Sequence, residues 1–176
     1  MRALTLTQPW AGLVASGIKL IENRRRSIIR RDAVGTRFAI HASREIDEHV
    51  YDRIEEIAPE LQLLPTIMTS TTLAARTAPP WYRLSRVTSA VIAVATLDKI
   101  LDGGWTAASI AEHAEAIAGS TREPLGADQI RWFFGPVGYV LHDVRVLQSP
   151  VPCRGALGFW TLPADIASRV VAEVPC

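Results

Sequence analysis

The chain has 176 residues, 48% of them hydrophobic and 21% charged, and a formal net charge of +1. That length and composition suit one globular domain with its own core and exclude a disordered chain. No apolar run reaches the roughly 18–20 residues of a membrane span. "MRALTLTQPW" lacks the apolar stretch and cleavage site of a secretory signal, so a cytoplasmic location is expected.

In chain order, "RALTLT" alternates Leu4 and Leu6 with Ala3 and Thr5, which predicts a strand. Pro9 suits the first turn of a helix, with Thr7 or Gln8 available to cap it. Trp10, Leu13, Val14 and Gly17 form one apolar stripe, and Gly17 suits the helix end. "KLIENR" then runs extended, placing Leu20, Glu22 and Arg24 on one face and Lys19, Ile21 and Asn23 on the other. Thr36–Ser43 is a second strand. Arg44–Ile57 keeps Ile46, Val50, Ile54 and Ile57 at helical spacing and ends before Pro59.

Glu60–Arg86 reads as a long loop or partly helical insertion. Val87–Leu101 is a long buried strand rich in β-branched residues, and Thr106–Ala118 a helix. Val137–Leu147 is a further strand, after which prolines and glycines break "SPVPCRGALGFWTL" into short pieces. A helix at about 163–174 ends the sequence. The expected organisation is a single domain over 1–176, with an insertion at about 60–86. The fold class is α+β, mostly β: a small, mostly antiparallel barrel with flanking helices.

The net charge hides an asymmetry. Between Gly17 and Arg44, Lys19 and seven arginines face only Glu22 and Asp32, a local excess of +6. The remaining 11 basic and 16 acidic residues sum to −5. A localised positive face points to an anionic partner. A solvated arginine-rich loop is the other reading of charge alone.

Other chemistry is sparse. His41, His49, His113 and His142 lack metal-ligand spacing, and Cys153 and Cys176 make neither a zinc motif nor a disulfide framework. Ser43 near His41 has no third, orienting group. No glycine-rich phosphate loop is present, and neither a metal nor a cofactor is expected.

"LTLTQPWAGLVASGIKLIENR" closely resembles the opening of ASCH (activating signal cointegrator homology) domains of the PUA-like superfamily. The signature G-x-K-x-x-E-x-R is complete as Gly17, Lys19, Glu22 and Arg24, with Gln8-Pro9-Trp10 upstream. The resemblance continues through "FAIHAS", "SAVIAVATLDKILD" and "GYVLHDVRVLQSPVPCRGALGFWTLP". It leaves out only Glu60–Arg86 and the last helix. It implies a PUA-like β-barrel with a cleft beside the first helix, and binding of RNA, other single-stranded nucleic acid or a nucleoside-like ligand. Relatives also include ribonucleases and amidohydrolases of N4-acetylcytidine. In the latter a catalytic lysine corresponds to Lys19, and a threonine stands where this chain has Glu22.

Lys19 and Glu22 therefore have two readings. They line a cleft, where a lysine holds phosphate or polarises a carbonyl and a carboxylate acts as base or accepts from a base edge. Alternatively, Lys19, Glu22 and Arg24 form an ion-pair cluster that fixes the chain between helix and strand. The resemblance favours the cleft. Arg25, Arg26, Arg30 and Arg31 are expected to hold phosphates through their planar forks, with Arg154 reaching the same cleft. Trp81, Trp105 and Trp132 are stacking candidates, whereas Trp10 and Trp160 read as core. The expected function is recognition of a nucleotide or base. The alternative is a metal-independent hydrolase, with Lys19 and Glu22 in acid–base roles.

Overall fold

A computed structural model describes residues 1–61, 78–112 and 125–175. Its centre is a six-stranded sheet in the order β2-β5-β4-β3-β1-β6, formed by β1 (Arg2–Gln8), β2 (Ile21–Arg24), β3 (Arg37–Ile46), β4 (Ala90–Leu101), β5 (Val137–Pro152) and β6 (Phe159–Thr161). β1 and β3 run parallel; the other pairings are antiparallel. The helices are α1 (Trp10–Ala15), α2 (Val50–Ile57), α3 (Pro80–Ser85), α4 (Ala107–Glu112), α5 (Ala127–Ile130) and α6 (Ala164–Glu173). Among the described residues no helix is long and apolar enough to cross a membrane.

Strand alternation sorts the core into two faces. Leu4, Leu6, Phe38, Ile40, Ile92, Tyr139 and Leu141 pack together on one face. Ala3, Ala39, Val91, Val94 and Val151 turn to the other, where Val170 of α6 joins them. A third cluster of Leu13, Tyr51, Ile54, Trp81 and Trp132 knits α1, α2 and α3 together. At Gly12 an added Cβ would stand 2.6 Å from the Ser85 nitrogen. Only glycine lets α1 and α3 approach so closely.

Several boundaries differ from expectation. β3 continues through Arg44–Ile46, which the helical spacing had assigned to the following helix. Gln8 of β1 pairs with Ile46, and the Asp47 N–H donates to the Gln8 carbonyl at 2.9 Å. Ile46 nevertheless packs against the helical cluster, which explains the misleading periodicity. β5 likewise runs on through Pro150. Ala93 pairs with Val146 and Val91 with Val151, so the residues between bulge out and Pro150 owes the ladder no donor. The Glu60–Arg86 stretch contains α3 in its described part. The predicted helix beyond Glu112 lies outside the described residues.

The barrel expectation needs correction: the hydrogen-bonded ladder is open, with β2 and β6 at its edges. β6 is three residues long and pairs only with Arg2–Leu4 of β1, while β2 stops at Arg24. Between these edges a side chain replaces a strand. Arg24 Nη2 donates to the Thr5 carbonyl, the next one along β1, at 2.8 Å.

Candidate nucleic-acid interface

The site begins at Gln8, which is fully buried. Its carboxamide oxygen accepts the Gly12 N–H at 3.0 Å, and its nitrogen donates to the carbonyls of Leu84 and Val87. One side chain thus caps α1 and ties it to the end of α3. Past α1, the chain turns at Gly17 (φ +76), and the N–H groups of Ile18 and Lys19 both donate to the Leu13 carbonyl. That turn delivers Lys19 beneath Trp10, its Nζ 5.4 Å from the ring centroid.

In β2, Glu22 and Arg24 share a face as the alternation predicts, and Arg24 Nη2 lies 3.2 Å from Glu22 Oε1. Lys19 was expected on the opposite face. It instead precedes the strand, and its Nζ donates to Glu22 Oε2 at 3.0 Å and to the Ile21 carbonyl. Glu22 therefore bridges two cations. Lys19 is 1% exposed and Glu22 is buried. Burial pulls the Lys19 pKa below the ordinary lysine value; Glu22 raises it by charge and hydrogen bond, and Arg24 lowers it again. Arg24 is the half-open member, and its buried Nε has no partner among the described residues.

The arginine run divides in the middle. Ile29 is buried and Ile28 partly so, and both backbone N–H groups donate to the Tyr139 hydroxyl at 3.2 and 2.7 Å. On the far side, Arg30 pairs with Asp32 at 3.2 Å and Arg31 with Asp102 at 2.6 Å. On the near side, Arg25 and Arg26 are exposed and make no ion pair among the described residues. With Asn23, Arg24, Ile28, Leu157 and Gly158 they line a depression of about 540 Å³. Arg154 lies elsewhere, in a second depression with Thr5, His41 and Arg44.

The aromatic assignments need correction. Trp81 and Trp132 are buried core, because the helical cluster forms around them. Trp105 is half-buried. The accessible aromatics near the motif are Trp10, half-buried, and Phe134, 38% exposed, with ring centroids 5.9 Å apart. The Phe134 N–H donates to Asn23 Oδ1 at 3.0 Å, and Arg53 lies 4.5 Å above its ring. Sequence reasoning passed over Phe134, whose one signal was its place in the short "WFFGP" turn.

No protein-family model matches the sequence, and no curated protein does. Solved structures do match the fold. An ASCH protein from Zymomonas mobilis is 17% identical, with a TM-score of 0.50 over 99% of this chain and 95% of that one. Two of its variants, serine-to-alanine and tyrosine-to-phenylalanine, are 17% and 18% identical. Each covers 99% of this chain, and 96% and 98% of their own, with TM-scores of 0.49. At such identity the likeness is one of fold.

Proposed function

From an ASCH-type fold, we propose that this protein binds single-stranded nucleic acid, RNA foremost, through the arginine-lined depression at the end of β2. The observation that carries this reading is the pair Arg25 and Arg26, exposed and without acidic partners among the described residues, beside an Arg24 held in place by Glu22 and Thr5. Arginine forks bond phosphate oxygens two at a time, and such contacts supply affinity without sequence preference. The buried Lys19–Glu22 pair acts here as a positioning element: it fixes Arg24 at the depression. Arg30 and Arg31 are secondary, since each must leave a carboxylate before meeting phosphate.

A labelled single-stranded RNA, followed by fluorescence anisotropy at low salt, tests the reading. The wild type is expected to bind, and Arg25→Ala with Arg26→Ala to weaken binding about tenfold or more. Equal binding by both proteins refutes it.

A second reading, a metal-independent hydrolase of RNA or acylated nucleosides, draws on one observation. Burial shifts Lys19 toward neutrality beside a carboxylate, as acid–base work at neutral pH requires. Turnover of labelled RNA or N4-acetylcytidine that Lys19→Ala abolishes would establish it. Tight binding without turnover leaves the binding module.

A further inference from the structure

Two depressions meet at one residue. The arginine-lined one includes Leu157 and Gly158. The second, of about 640 Å³, includes Leu157 together with Thr5, His41, Arg44, Ser89 and Arg154. Leu157 is 99% exposed, an apolar crest shared by both. Arg25 and Arg26 stand on one side of it, Arg44 and Arg154 on the other. All four are exposed, and none makes an ion pair among the described residues.

The neighbouring depression beyond Ile28 is different. It also holds arginines, but Arg30 is paired with Asp32 and Arg37 with Asp143, and Arg2 is engaged by the Phe159 carbonyl and ring. Two pairs of arginines without ion pairs among the described residues thus stand on the two flanks of Leu157. Glu45, exposed at the second depression, sets one carboxylate against two arginines there.

The crest is held in shape by the chain's own contacts. Gly155 packs against the His41 ring, where an added Cβ would stand 2.5 Å from Cε1. His41 Nε2 lies 3.1 Å from the Cys153 carbonyl, which can only accept, so Nε2 carries the proton. Thr5 Oγ1 donates to the Ala156 carbonyl at 2.9 Å, and the Cys153 N–H to the Ser89 carbonyl at 3.0 Å. Gly158 closes the turn at φ +78. A loop fixed in this way gives up little conformational freedom on binding.

We propose that Arg154–Gly158 is a ridge crossed by a single-stranded nucleic acid. Phosphates sit against Arg25 and Arg26 on one flank and Arg44 and Arg154 on the other, and an unstacked base or sugar rests on Leu157. The proposal builds on the nucleic-acid reading above and lengthens its footprint to more than one nucleotide. A mononucleotide reaches one flank alone, whereas an oligonucleotide reaches both.

The test uses anisotropy of a labelled ten-nucleotide oligouridylate, competed by uridine monophosphate and by oligouridylates of increasing length. Competition is expected to strengthen steeply from the mononucleotide to short oligomers. Arg44→Ala with Arg154→Ala should weaken ten-mer binding about tenfold and reduce the log–log salt slope by about 1.4, the loss of two single-strand phosphate contacts. Leu157→Asp should weaken it as well. If these variants bind like the wild type while Arg25→Ala with Arg26→Ala is weakened, the ridge is wrong and the arginine clamp stands. Should the wild type fail to bind, or no variant weaken binding, both readings fall together.

Discussion

Lys19–Arg24 and Arg25–Arg31 are neighbours in sequence and opposites in environment. In the first, a lysine at 1% exposure and a glutamate that bridges it to Arg24 are enclosed by Trp10 and the β2–β5 pairing. In the second, four arginines lie in solvent, two paired with aspartates and two without an ion pair among the described residues. Enclosed charges have no water to fall back on, so each depends on its partner. Solvated charges lose little when a partner is removed, and for that reason can exchange it for a ligand. Under the proposed function, the first stretch supplies the architecture and the second the contacts.

The largest expected effect sharpens the enclosed half. Glu22→Ala leaves Lys19 buried without its counter-charge, and chemical denaturation should register a loss of about 3–5 kcal/mol. Lys19→Met, which removes the buried charge and keeps the apolar stem, should cost clearly less. Were the two equal, the pair would not be the organising contact.

A pH titration comes next. Burial lowers the Lys19 pKa in the folded state, so between that value and the 10.5 of an ordinary lysine the unfolded chain binds more protons. Stability linked to Lys19 should therefore rise with pH across that window. Lys19→Met should flatten that rise; an unchanged profile would mean that Lys19 is not the group responsible.

The exposed half is predicted to behave in the opposite way. Arg30→Ala or Arg31→Ala should change stability by at most about 1 kcal/mol in thermal or denaturant melts, because these are surface ion pairs. The smallest stability effect, within about 0.5 kcal/mol, is expected for Arg25→Ala and Arg26→Ala, which break no ion pair among the described residues. A large loss of stability there would erase the contrast between the two stretches.

Much of the sheet was legible because alternation and β-branched runs report burial directly: Leu4 and Leu6, or Val91 to Leu97, read as buried strands and are buried. The Gln8 cap and the Glu22–Arg24 pairing were also visible, since both depend on local spacing. What stayed hidden depended on distant partners. Ile46 keeps helical spacing yet belongs to a strand that Gln8 prolongs. Pro150 signals a break but sits in a bulge. Barrel closure is a property of β2 and β6 jointly, and no local pattern in either strand reports that Arg24 spans the gap instead. At the site, charge density marked the arginine run but not that Asp102, 71 residues away, would neutralise Arg31. The same limit placed Arg154 at the motif, when the fold carries it to the neighbouring depression beside Arg44.

The central claim is that Arg25 and Arg26 meet phosphate while the Lys19–Glu22 network holds the frame. Its most direct test is the salt dependence of single-stranded RNA affinity for the wild type and for Arg25→Ala with Arg26→Ala. The log–log slope should become shallower by about 1.4, two single-strand phosphate contacts, with the melting curve unmoved. An unchanged slope, with RNA bound as tightly as by the wild type, would contradict the account.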